Sequence, residues 1–159
     1  MEALKHLGIC TLLLVLWTVV MTADANAEEN RMTLPISSVV RIYDGDTFFI
    51  TIPSLNPVFG DELGVRIAGI DTPELRSRCS TDSGKAIEKE LAIRARNVVD
   101  QLFLSDGNRF VILENLERGK YFRLVADVWI DDVNIKKVLI DSGLAVDYDG
   151  GKKTKDWCK

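Results

Sequence analysis

The sequence predicts an α+β fold, mainly β: a five-stranded OB-type barrel with helices packed on it. Three observations carry this reading. Five β-prone runs are separated by turn residues, an amphipathic helical repeat lies between the third and fourth runs, and this order of elements is that of the five-stranded barrel. The chain has 159 residues, 47% hydrophobic and 28% charged, which suits one globular domain and excludes a disordered or collagen-like chain.

At the N-terminus, residues 7–23 form a nearly unbroken apolar run behind Lys5 and His6, and Ala25-Asn26-Ala27 offers the small residues that a signal peptidase reads. Residues 1–27 are therefore expected to be a signal peptide and the protein to be secreted or periplasmic. An uncleaved membrane anchor is the alternative, because such a run approaches the roughly 17 residues that just span a bilayer. Residues 28–35 read as a polar linker, residues 36–146 as the folded domain and residues 147–159 as a polar, glycine-bearing tail.

Within the domain, Val39 to Ile42 and Thr47 to Ile52 flank Tyr43-Asp44-Gly45-Asp46, and Asp-Gly between β-prone runs signals a hairpin. Pro53 to Asp61 reads as a loop. Val65 to Ile70 is a third strand, ended by Pro73. Ile87, Leu91, Ala95, Val98 and Leu102 recur at helical spacing, with Ser83 as N-cap and Glu88 off the apolar stripe. Phe110 to Leu113 and Leu124 to Ile130 are the fourth and fifth strands, joined by the charged turn Glu117-Arg118-Gly119-Lys120. A short helix follows, burying Ile135, Val138 and Leu139 and stopped by Gly143.

Two absences constrain the chemistry. The one histidine, His6, lies in the leader, so the mature chain has no imidazole for base catalysis, a nucleophilic triad or a zinc site. Cys10 is also in the leader, leaving Cys79 and Cys158, which an exported protein would be expected to pair, two free thiols being the alternative. The mature chain carries a net charge of −3, so any contact with a polyanion must be local.

Three acids fall at strand ends: Asp46 after the hairpin turn, and Asp71 and Glu74 after the third strand. Hard cations take oxygen ligands, so Asp46, Asp71 and an oxygen of Thr72 suit calcium or magnesium. Asp44-Gly45-Asp46 alone is also ordinary turn chemistry. Arg66 and Arg123 each interrupt an apolar strand pattern. They either face outward or converge on one phosphate, where the planar fork donates paired hydrogen bonds.

From Val39 to Ala145 the chain resembles the staphylococcal nuclease, or thermonuclease, family. The matching blocks are Asp44-Gly45-Asp46-Thr47, Arg66 with Ile70-Asp71-Thr72-Pro73-Glu74, Lys120-Tyr121-Phe122-Arg123-Leu124, and Leu139 to Ala145, in family order. The resemblance implies an OB barrel and a calcium-dependent phosphodiesterase that cleaves DNA and RNA to give 3′-phosphate ends. It assigns Asp46, Asp71 and Thr72 to Ca2+, Glu74 to general base catalysis, Arg66 and Arg123 to the scissile phosphate, and Lys120 and Tyr121 to the terminal phosphate of the nucleotide. DNA and RNA are then the expected partners of a monomeric enzyme, with membrane contact only through an uncleaved leader. The chain departs from the family in Phe122, where glycine is usual, in the loop from Leu75 to Gly84 with its Cys79, and in the tail around Tyr148. A positive φ at Phe122 would strain a bulky residue and put the placement of Arg123 at stake.

Two other readings compete. A catalytically weak OB module would bind single-stranded nucleic acid through its groove and Tyr121, yet it has no need of Glu74 or a metal. A two-metal phosphodiesterase wants more ligands than these carboxylates supply.

Overall fold

The hairpin around Asp44-Gly45-Asp46 organises one side of a mixed sheet. In the computed structural model, which describes residues 30–104 and 109–159, β2 (Val39–Ile42) turns into β3 (Thr47–Ile50), and β3 pairs antiparallel with β4 (Leu63–Ile67). The turn closes through Tyr43 and Asp44 N–H donating to Thr47 O, and Asp46 N–H donates to Asp44 Oδ1, an Asx turn. Next, β4 pairs in parallel with β7 (Leu124–Ile130), which pairs antiparallel with β6 (Phe110–Arg118). The two residues of β8 (Val133–Asn134) extend from β7, and β1 (Arg31–Pro35) closes the far edge, giving the order β1-β6-β7-β4-β3-β2. This mixed sheet curls into a half-barrel, as expected of an OB-like, mainly β fold. Separately, β5 (Ile70–Asp71) pairs with β9 (Val146–Asp147).

Alternation places the core. Leu63, Val65 and Ile67 of β4 and Ala126, Val128 and Ile130 of β7 are buried on one face, between the flanking Gly64, Arg66, Asp127 and Trp129. The long helix α2 (Asp82–Leu104) and the short α3 (Ile135–Asp141) supply Ala95, Val99, Phe103, Ile135 and Leu139 to the same core, and Phe48 meets Phe103 at 5.2 Å between ring centroids. One-turn helix α1 (Pro57–Gly60) sits in the β3–β4 connection. Gly143, at φ +70°, ends the segment after α3.

Several expectations are corrected. Arg31–Pro35 is not a linker but β1, whose place in the sheet is set by backbone pairing that five residues with two half-buried apolar side chains do not announce. The Val65 to Ile70 strand is broken at Gly69, φ +70°, so Ile70 and Asp71 belong to the second sheet. Phe110 to Leu113 continues to Arg118, past a bulge at Asn115, and the turn expected at Glu117 to Lys120 falls later. Thr81, not Ser83, caps α2, because Gly84 N–H donates to Thr81 Oγ1. The buried stripe of α2 runs Gly84, Glu88, Ala92, Ala95, Val99 and Phe103, rotated from the expected one, so Ile87 is exposed and Glu88 is inside. Residues 147–159 are no free polar tail: Trp157 is buried and Cys158 is bonded to Cys79. The leader expected over residues 1–27 lies outside the described residues.

Gly45 is where the hairpin meets α2. A Cβ there would stand 2.7 Å from Ala95 Cβ and 3.2 Å from Thr72 Cγ2. Gly45→Ala should therefore push the turn off the helix and lower stability by about 1–3 kcal/mol in urea unfolding, as overpacking does.

Candidate functional site

The register of three strands brings the arginines together. Thr47 lies opposite Arg66 across β3 and β4, so the Arg66 side chain emerges beside Asp46. The parallel pairing of Val65 with Leu124 sets Gly64 against Arg123, and a Cβ on Gly64 would come within 3.3 Å of Arg123 Cβ. Glycine there gives the second guanidinium its room. Both arginines line an open cleft of about 860 Å³ together with Asp44, Glu74, Lys120, Tyr121, Tyr148 and Lys153.

Asp46 and Asp71 lie behind that lining, at 3% and 1% exposure. Arg66 holds Asp46 as a fork, Nη1 to Oδ1 at 2.9 Å and Nη2 to Oδ2 at 2.8 Å, and Thr47 Oγ1 donates to Oδ1 at 2.7 Å. Arg66 Nη2 also donates to Ile70 O at 3.4 Å. The fork expected to meet a phosphate is thus committed to a carboxylate. On the other side, Trp157 Nε1–H donates to Asp71 Oδ2 at 3.1 Å, and Lys153 Nζ stands 2.6 Å from both Asp71 Oδ1 and Glu74 Oε1. Thr72 is buried beside them.

Asp71 Oδ1 is met by the Lys153 ammonium at 2.6 Å, whereas Arg123 Nε, also buried, has no hydrogen-bond partner among the described residues. A buried donor left so is costly.

The charges lean negative inside. Burial pushes the Asp44 carboxyl up to about 7, helped by the Asp46 carboxylate beside it. Burial also raises Asp46, and the Arg66 guanidinium opposes this without cancelling it. For Lys153, burial works against the ammonium, but its pairing with Asp71 and Glu74 outweighs that and leaves its pKa raised. Asp44, Asp46, Asp71 and Glu74 face only Arg66 and Lys153 in these contacts, an excess of carboxylate that suits a hard cation.

Sequence reasoning missed four contributors. Asp44 was hidden as turn chemistry. Glu88 accepts from Glu74 N–H at 3.2 Å and so fixes the backbone of Glu74, from a buried helix position read as exposed. Lys153 and Trp157 come from the tail, which the Cys79–Cys158 bond ties to the loop beyond Glu74. Only that cysteine pair hinted that the tail returns. Lys120 and Tyr121 stand at the mouth of the cleft, Tyr121 at 91% exposure. Phe122 has φ +57°, the strained value that a bulky residue rarely adopts, and Arg123 nonetheless lines the cleft.

The model of the staphylococcal nuclease homologue family matches residues 64–157. No curated protein matches the chain.

The Asp44 shift has a sign. The folded protein holds a proton that the unfolded chain releases near pH 3.8, so stability is fully present below that value and is lost as pH rises to about 7. In chelator, thermal unfolding should show this fall in the parent protein, and Asp44→Asn, which keeps an acceptor for Asp46 N–H, should flatten it.

Proposed function

Since the chain belongs to the staphylococcal nuclease family, we propose that it is an exported, calcium-dependent nuclease that hydrolyses phosphodiester bonds of DNA and RNA and leaves 3′-phosphate ends. The family supports a nuclease-type or nucleic-acid-binding role. The observation that carries the enzyme reading is Arg123 Nε, a buried donor without an acceptor on the wall of a cleft that also holds Glu74. A phosphodiester oxygen is the acceptor it lacks.

The residues fit a calcium ion. Asp71 Oδ1 is a buried oxygen that meets the Lys153 ammonium, which a calcium ion would displace, Asp46 keeps lone pairs beyond those used by Arg66 and Thr47, and Thr72 would offer a backbone oxygen. Bound calcium would supply positive charge to a phosphate oxygen and a hydrated coordination shell. Arg123 would donate to the phosphate, and Arg66 would add charge while it holds Asp46 in its fork. Glu74, anchored through Glu88, would take the proton of the attacking water. In this reading Lys153 holds Glu74 in place until substrate enters. The two arginines would stabilise charge that builds up only as the phosphorus–oxygen bond forms, which is where preorganised donors act most. Lys120 and Tyr121, at the cleft mouth, would meet the terminal phosphate. The Cys79–Cys158 bond supports an oxidising compartment and hence export.

The test is cleavage of plasmid DNA and of RNA by the mature protein, with calcium and then with a chelator. Cleavage should stop in chelator. Glu74→Gln should lower turnover by about 10²–10⁴-fold, and Arg123→Lys, which keeps charge but loses the fork, by about 10²–10³-fold. Binding of nucleic acid without any cleavage in calcium would favour the OB binding module instead.

A further inference from the structure

The wall of the cleft next to Arg123 displays apolar rings that nothing in the fold explains. Phe59 is 56% exposed and Phe122 51%, and their ring centroids lie 6.0 Å apart. Packing one ring against another in water leaves half of each uncovered, so the pair is no substitute for a core contact.

Both rings are held in place by the local backbone. Phe59 sits on α1, whose loop is closed by Ile52 N–H donating to Gly60 O at 2.8 Å and by Asn56 Oδ1 capping Val58 N–H at 3.0 Å. A Cβ on Gly60 would meet Ile52 O at 2.7 Å, so the loop is drawn tightly back on the strand. Phe122 is set by a left-handed backbone at φ +57°, next to Tyr121 at φ +60°, a conformation that costs about 1 kcal/mol or more for a side chain with a Cβ. Arg118 lies over the Phe122 ring, Cζ 4.6 Å from its centroid.

The surroundings select the occupant. Arg118, Lys120 and Arg123 are basic neighbours of Phe122 along the chain, and Arg123 carries the donor without an acceptor. A ligand that matches must bring an anionic oxygen to Arg123 and a flat apolar face to the rings, one beside the other. A nucleotide within a strand does both: its phosphate is the anion and its base the face. A base inside a duplex has its faces covered by neighbours, so the rings suit a base that is unpaired and unstacked.

We propose that Phe59 and Phe122 form a stacking platform for one unpaired base of the strand whose phosphate lies at Arg123. This rests on the nucleic-acid reading above and adds to it a subsite and a preference for single strands. The two rings touch each other, so the base lies on the platform rather than between the rings.

The test separates binding from cleavage. Fluorescein-labelled oligodeoxythymidylate, which does not pair with itself, is titrated with the mature protein in chelator and followed by anisotropy, beside a labelled duplex. Phe59→Ala and Phe122→Gly should each weaken single-strand binding about tenfold, the scale of one lost stacking contact, and change duplex binding much less. Phe122→Gly removes the ring while relieving the left-handed backbone, so it should keep or raise the unfolding temperature, and its loss of affinity cannot then be a loss of fold. Unchanged single-strand affinity in both variants overturns the platform, and so does an equal loss on the duplex. If the protein cleaves nothing in calcium yet loses single-strand affinity in both variants, the platform stands and the nuclease reading falls. If it cleaves single strands with the parent KM in both variants, the nuclease reading stands and the platform falls.

Discussion

Burying three aspartates at one end of a sheet is tolerable only if every carboxylate finds a counter-charge or a donor, and most of the architecture around the cleft answers that demand. Asp44 is met by the Asp46 amide, Asp46 by the Arg66 fork and Thr47, and Asp71 by Trp157 and Lys153. These donors come from three separate parts of the chain. The β3–β4 register delivers Arg66, and the disulfide and the β5–β9 pair return the tail that carries Lys153 and Trp157. The answer is incomplete at Asp44, whose carboxyl burial pushes up to about 7. The calcium ion proposed above would meet that remaining imbalance.

The two arginines are unequal for the same reason. Arg66 is consumed by Asp46, so it serves the buried acids first and the cleft second. Arg123 has no such duty, and its Nε is left without an acceptor. Gly64 leaves space for it where β4 runs parallel to β7, and the left-handed turn at Tyr121 and Phe122 aims it. The strain at Phe122 is thus spent next to the residue on which the phosphate reading depends. Backbone strain of this kind is usually kept where function needs it.

Local pattern made much of this legible. The Asp-Gly hairpin, strand β7 over Leu124 to Ile130, and the short helix stopped by Gly143 could be read because turn chemistry and alternation act over a few residues. The spacing of carboxylates and arginines pointed to one family, and residues 64–157 match that family. What stayed hidden depends on distant pairing. β1 is held by β6, some eighty positions away, and Trp157 is buried by Asp71, at a separation of 86 residues. Glu88 was misread because the helix buries a stripe that begins at Gly84 and includes a charged residue, which a count of apolar positions rejects. Phe122 could be flagged as an oddity, but its contact with Phe59 crosses a loop whose path no periodicity describes.

Trp157 offers a direct view of the buried acids, since its Nε1–H is bonded to Asp71. The decisive measurement is a calcium titration of chelator-treated mature protein, followed by tryptophan emission and by the unfolding temperature, with Trp157→Phe to identify the reporting ring. The account predicts a saturable emission change and a rise in Tm, both lost in Asp71→Asn, because a ligand that binds only the folded state stabilises it. Emission and Tm that ignore calcium in the parent protein would contradict it.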